Sequence, residues 1–374
     1  MIVHCSRSHG ACPVECHNST NYILGGEVML VVYGDLHLDD SKNYYKKASE
    51  KVIDFITTSD FNKIENDVLF LGDITSQNRL SGQCITYVDS LFANLKYKNI
   101  YILQGNHEGR VQYQEVSLTY DYLQETYKNI TIIRNFGEYE ISGLKTIAFP
   151  HIYSNTGRTN KWYESLLEQE EYKSLLEKEF DLCIGHITIA DIDFYSLDKI
   201  KLPNIKAKNF LYGHIHSGDY AEQGYLGSFY PVTISEAATK RYFATIENKE
   251  KKLYPIKNIL NYVEVKLGDP LPTEEENVYN VYTFKNCIDE NEAKKFYQNE
   301  DLLIRACIYN ENYNDNEIVE QLKEDISVKD NVKEYIDLFC KEKTDYAHLL
   351  NTLYEVFNIS QDSTQQQTQT RRVR

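Results

Sequence analysis

The sequence predicts a mixed α/β chain with a large domain over residues 29–256, a smaller α/β domain over 257–327 and a helical segment at 328–358. Three observations carry that expectation. Short apolar runs bounded by turn residues recur from Met29 to about Ile256 and read as buried strands. Stretches with apolar residues at helical spacing lie between them. After Ile256, residues 257–277, which contain GDPLPTEEEN, form a turn-rich, acidic stretch that reads as a linker or the edge of a new domain.

Residues 1–28 differ from the rest. They cluster His4, Cys5, His9, Cys12, Cys16 and His17, which are residue types that zinc prefers. The spacing matches no standard finger, so a disordered extension is expected. The strand-like runs then follow in order: MLVVYGD (29–35), DVLFLGD (67–73), NIYILQGN (99–106), DLCIGH (181–186) and NFLYGH (209–214). Between them Ile85, Val88, Leu91, Phe92 and Leu95 recur at helical spacing, as do Leu166, Leu167 and Leu175. Residues 131–150 read as a hairpin turning near Ser142-Gly143. Farther on, LLIRACIY (302–309) reads as a strand and NDNEIVEQLKEDI (314–326) as a helix. Over 328–358 one apolar stripe runs through Val332, Tyr335, Ile336, Leu338 and Phe339, and a second through Tyr346, Leu349, Leu350, Leu353, Val356 and Phe357. That pattern predicts a helical pair or one long helix. The tail 359–374 is poor in apolar residues and is expected to be disordered.

The bulk numbers narrow the class. A chain of 374 residues with 42% hydrophobic and 26% charged residues has the material for a globular core. No apolar run reaches the roughly 18 residues a membrane helix needs, and residues 1–28 lack the uninterrupted apolar stretch of a signal peptide. A cytoplasmic location is therefore expected, and the eight cysteines are read as free thiols, with Cys183 as core filler. The net charge of −16 counts against tight, unaided binding of nucleic acid, whose affinity comes mainly from cations on phosphates. It leaves room for an enzyme whose metals and partner supply that charge.

Chemistry-bearing residues stand at the ends of the strand-like runs: Asp35-x-His37, Gly72-Asp73, Gly105-Asn106-His107-Glu108, Gly185-His186 and Gly213-His214-x-His216. Carboxylates, imidazoles and one amide carbonyl suit hard-to-borderline divalent cations. The i, i+2 pairs Asp35/His37 and His214/His216 would share a face if the backbone stays extended. Asp73 has two oxygens and can bridge two ions about 3.5–4 Å apart. A lone histidine at a strand end is more often a hydrogen-bonded core residue, and a lone Gly-Asp or Gly-His dipeptide carries no information. All five motifs in this order, with the full GNHE tetrapeptide, leave chance a poor explanation.

That constellation resembles the calcineurin-like metallophosphoesterases over about residues 29–256. The resemblance implies a two-layer β-sandwich flanked by helices and a site for two divalent metal ions. It assigns Asp35, His37 and His216 to one ion, Asn106, His186 and His214 to the other, and Asp73 to both. A shared water or hydroxide would be the nucleophile, His107 would protonate the leaving oxygen or stabilise the pentacoordinate phosphorus, and Glu108 would orient a ligand from behind.

Within that superfamily, Tyr225-Leu226-Gly227-Ser228 through Glu236, followed by a hairpin-like stretch, is similar to the SbcD-type DNA-end nucleases. This finer resemblance implies a Mn2+-dependent nuclease (with Mg2+, Fe2+ or Zn2+ as other candidates). It also implies a homodimer built on helices near 82–96 and 112–127, and an SMC-like ABC ATPase docked on the C-terminal helices. Two positions depart from that branch. Glu108 stands where an Asp is usual, and Ser76 stands where many members carry a His. His151, in Phe149-Pro150-His151, reads as a loop residue rather than a ligand. The other reading left open is a stand-alone phosphatase or cyclic-nucleotide phosphodiesterase.

Overall fold

The computed structural model describes residues 28–77, 80–107, 118–152, 159–192 and 199–309. The chain begins β1 (Leu30–Tyr33), α1 (Asn43–Thr58), β2 (Asp67–Phe70), α2 (Gly82–Ala93), β3 (Ile100–Leu103), α3 (Leu118–Thr126) and β4 (Ile130–Ile133). Each of these strands is parallel to the next, and β1 also pairs antiparallel with β11 (Tyr242–Glu247), which pairs with β12 (Glu250–Pro255). The result is a six-stranded sheet ordered β12-β11-β1-β2-β3-β4. A four-stranded sheet, β10-β7-β6-β5, is built from β5 (Gly137–Ile141), β6 (Leu144–Phe149), β7 (Glu179–Gly185) and β10 (Lys206–Tyr212). Two-residue strands β8 (Thr188–Ile189) and β9 (Lys199–Ile200) pair with each other.

The two larger sheets lie face to face, as the period-two alternation of their strands dictates. Leu30 and Val32 of β1 join Leu69 and Leu103 in one buried cluster with Ile141, Ala148, Leu182 and Ile184 of the other sheet. The alternate residues Val31, Tyr33, Val68 and Phe70 point the opposite way, into a cluster with Val52 and Ile56 of α1 and Val88 and Leu91 of α2. On the far side, Ile147, Phe149 and Cys183 pack with Tyr163 of α4 (Thr159–Leu167) and Leu176 of α5 (Glu170–Leu176). Helix, sheet, sheet and helix are thus four layers, and strands covered on both faces read as unbroken apolar runs. Each fully buried Leu, Ile, Val or Phe in them contributes about 1.5–3 kcal/mol.

Local details refine the sequence reading. The hairpin is β5–β6 alone, turning at Ser142 (φ 53°) and Gly143 (φ 73°), while 130–133 belongs to β4 in the other sheet. Two consecutive left-handed residues match the right-handed twist of the paired strands. In α2 the N-cap is Ser81, whose Oγ accepts the Cys84 N–H at 3.0 Å. The buried face of α2 is Cys84, Tyr87, Val88, Leu91 and Phe92, while Ile85 is 42% exposed. Beyond β12, residues 260–266 form β13 (Leu260–Lys266) inside the stretch read as a linker. Its NYVEV sequence has the aromatic and β-branched residues of a strand, and the turn-rich part follows it. With β14 (Tyr279–Lys285) and β15 (Ile304–Ile308) it makes a three-stranded sheet ordered β13-β14-β15. Between β14 and β15 lies α6 (Glu290–Tyr297), capped by Asp289, which accepts the Glu292 N–H at 2.9 Å. Among the described residues no helix is long and apolar enough to cross a membrane. Residues 1–27, the predicted helices at 314–326 and 328–358, and the tail lie outside the described residues.

Candidate metal centre

Five strands deliver the chemistry-bearing residues, all from their C-terminal ends. Asp35 and His37 follow β1, Asp73 follows β2 and Asn106 follows β3. His186 follows β7 of the second sheet, and His214 and His216 follow β10. The extended backbone expected at the i, i+2 pairs is not what brings them together. His37 (φ 50°), Asp73 (φ 48°) and His214 (φ 78°) are left-handed, an uncommon state for residues with a Cβ. The turn after β1 is held by N–H groups of Leu36 and His37, which donate to Asp73 O at 3.1 and 3.0 Å. The His214 N–H donates to Asp35 Oδ2 at 2.9 Å. His214 and His216 consequently part company and face different neighbours.

Two groups of donor atoms result. In the first, Asp35, His37 and His216 bring their ligand atoms within 4.8 Å of one another, and the Nε2 atoms of His37 and His216 are 2.9 Å apart. In the second, Asn106 Oδ1 lies 2.9 Å from His186 Nε2 and 2.8 Å from His214 Nδ1. Asp73 Oδ2 stands between them, 3.1 Å from His186 Nε2 and 3.9 Å from His37 Nε2. The structure therefore brings all seven residues together. Asp35, His37, Asp73 and His186 are almost wholly buried.

Burial alone would raise both carboxyls. It lifts Asp35 to about 6, where Asp73 adds to the rise and His186 and His216 oppose it. At Asp73 the surrounding imidazoles, His186 foremost, outweigh burial and hold the carboxyl well below its usual range. Burial pushes His37 and His214 well below the usual imidazole range, which leaves them neutral with a lone pair to offer. At His186 burial is overcome by Asp73 and Asp35, and the ring is raised to about 9. Its Nδ1–H donates to Leu71 O at 2.7 Å, so Nε2 is the atom that faces the site.

Around these seven stand other groups. His107 is about one-third exposed; its N–H donates to Asp73 Oδ1 at 2.9 Å, and its Nδ1–H donates to Ser76 O at 2.7 Å. Its Nε2 is thereby turned toward the site, 3.9 Å from Asp73 Oδ2. Glu108 lies outside the described residues. Ser76, where a nuclease histidine was noted as missing, donates through Oγ to His37 O at 3.2 Å. His151 flanks the second group, its ring 6.3 Å from that of His214, and burial lowers it to about 3. Glu236, in the sequence no more than the end of the SbcD-like stretch, has its Oε1 3.1 Å from His216 Nδ1. The Thr-x-x-Glu pattern of a capping box at Thr233–Glu236 was the available signal.

The donor set fits divalent cations on three observations. Asp73 Oδ2 is buried and faces imidazole nitrogens, His186 Nε2 at 3.1 Å and the Nε2 atoms of His37 and His107 at 3.9 Å, a setting that a cation would satisfy. The Nε2 atoms of His37 and His216 converge at 2.9 Å, and the Asn106 amide oxygen meets His186 Nε2 and His214 Nδ1 at 2.9 and 2.8 Å, so ligand-type atoms gather in one place. Gly105 is packed so closely on Asp73 that a Cβ would collide with the carboxylate, so the backbone itself forms the cradle. No curated protein sequence matches this chain. Among solved structures, a protein of unknown function from Aquifex aeolicus is similar at 12% identity and a TM-score of 0.27, covering 49% of this chain and 89% of that one. A likeness at that score carries no argument. The family comparison does: residues 29–218, the span that supplies all seven convergent side chains, match the calcineurin-like phosphoesterases, and the chain belongs to that family.

Proposed function

We propose that this phosphoesterase is a Mn2+-dependent DNA nuclease, the hydrolytic subunit of a DNA-end-processing complex. The observation that carries this reading is the segment Tyr225–Glu236, the SbcD-like stretch, which runs beside the site and ends with Glu236 against His216. In this reading Asp35, His37 and His216 would hold one cation, Asn106, His186 and His214 would hold the other, and Asp73 would serve both. The pair supplies Lewis acidity, lowering the pKa of water toward neutrality and neutralising charge on the phosphate. The chain's own groups do the rest. His107, fixed by Ser76 O, holds a proton at Nε2 for the leaving oxygen. Leu71 O fixes the ring of His186, and Glu236 that of His216.

Given linear duplex DNA and Mn2+, with and without an SMC-like ATPase, the protein should degrade DNA. His107→Ala should lower turnover by about 10²–10⁴-fold while metal stoichiometry is unchanged. Activity confined to small phosphomonoesters would sink the nuclease reading. It would favour a stand-alone phosphatase or cyclic-nucleotide phosphodiesterase, which the acidic balance of −16 and the Ser76 substitution support. The ATPase is proposed to dock on residues 328–358. Deleting 328–374 should therefore abolish co-purification with the ATPase and leave metal binding intact.

A further inference from the structure

Glu236 closes a 3-10 turn, Ile234–Glu236, that Thr233 caps. Four donors grip its carboxylate: His216 Nδ1–H at 3.1 Å, Thr233 Oγ1–H at 2.9 Å, the Val232 N–H at 2.8 Å and the Thr233 N–H at 3.3 Å. The turn is itself pinned from outside. Tyr45 of α1 donates its hydroxyl to Val232 O at 2.7 Å, and Tyr262 of β13 donates to Pro231 O at 3.0 Å. Arg241, 1% exposed, donates through Nη2 to Glu236 O and through Nη1 to Thr239 O and Asn258 Oδ1, all at 2.6 Å. A carboxylate held this firmly fixes the tautomer and tilt of the ring behind which it stands, and it strengthens the opposite nitrogen as a donor. That nitrogen is His216 Nε2, which faces His37.

The two groups of donors are unequal in this respect. The ring of His186 has the neutral Leu71 O at 2.7 Å from its Nδ1 and the Asp35 carboxylate farther off at 3.5 Å, and His214 turns its Nδ1 to Asn106. Among the described residues the first group joins Asp35 to an imidazole, His216, whose outer nitrogen a second carboxylate holds at 3.1 Å.

We propose that Glu236 is a positioning residue that sets the affinity of the Asp35/His37/His216 position and makes it the tighter of the two. The inference rests on the two-cation reading above and adds an order of filling to it. The test is Mn2+ titration of the full chain by calorimetry, with electron paramagnetic resonance counting isolated and paired ions. Wild type should fill in two separable steps. Glu236→Ala should weaken one step by about 10- to 100-fold and leave the other unchanged. Glu236→Gln keeps an acceptor for the Val232 and Thr233 N–H groups but loses the charge, and should fall between, so a folding defect in the alanine variant does not decide the matter. The double variant Glu236→Ala/His216→Ala should be no weaker than His216→Ala alone. Two ions in wild type with both steps unchanged in Glu236→Gln and Glu236→Ala, or both weakened equally, overturns the proposal and leaves the metal centre standing. No ion bound by wild type overturns the metal centre and this proposal together.

Discussion

Burial works to strip the proton from His186, but Asp73 at 3.1 Å and Asp35 at 3.5 Å raise the ring to about 9. At neutral pH a proton therefore occupies part of the space a cation would use, and binding must expel it. The sign follows from the raised value: metal affinity should climb as pH rises and level off near 9. Calorimetry at pH 7.5 in buffers of differing ionisation enthalpy should show about one proton released per chain. A buffer-independent heat would refute the assignment. At this scale the gathering of seven polar residues from strand ends was legible, because such residues in that order have few bland explanations. Their conformation was not. The left-handed backbone of His37 is set by N–H groups that reach Asp73 O, 36 positions along the numbering, and no local propensity encodes such a contact. The part Glu236 plays was hidden for the same reason, since its partner His216 precedes it by 20 positions.

Among the elements, α2 shows where periodicity succeeds and where it stops. Helical spacing located the helix, yet it counted Ile85 among the apolar positions while Tyr87 and Cys84 fill the buried face. An apolar side chain marks a face only when its neighbours point the same way. The surplus bears on the homodimer that the SbcD-like resemblance implies: Ile85 at 42% exposure and Tyr122 of α3 at 39% are the residues it would use. Ile85→Asp should change the stability of the fold by no more than about 0.5 kcal/mol and convert a dimer to monomer in sedimentation. Val88→Asp, at a position 1% exposed, should cost more than about 3 kcal/mol and lower the thermal midpoint sharply. If Ile85→Asp leaves a dimer intact, the contact lies elsewhere. The β5–β6 hairpin was legible from Ser142-Gly143. Its start was misplaced because 130–133 is as strand-like as the hairpin itself, and only pairing with β3 tells them apart.

For the molecule as a whole, the site belongs to neither sheet. Asp35, His37, Asp73 and Asn106 come from one, and His186, His214 and His216 from the other. Cations bound there stabilise only the docked pair, so Mn2+ at about 100 times its Kd should add roughly 2.7 kcal/mol. A chelator should remove that increment, seen as a fall in thermal midpoint. His107→Ala should keep the shift and Asp73→Ala should lose it; an equal shift in Asp73→Ala would argue that the ions bind elsewhere. The alternation of strands and helices made the layers legible in the sequence, whereas the pairing of β1 with β11, more than 200 positions away, is a property of the closed core. This division has a consequence for biosynthesis. While the ribosome is still short of residue 179, the nascent chain holds Asp35, Asp73 and Asn106 but none of the imidazoles that follow β7 and β10. In the two-cation reading the full donor set exists only once His216 has been synthesised, and until then the first half carries two carboxylates destined for burial without their complete set of partners. Completion of the site would thereby be a late event in the life of the polypeptide, open only to a chain synthesised through both sheets.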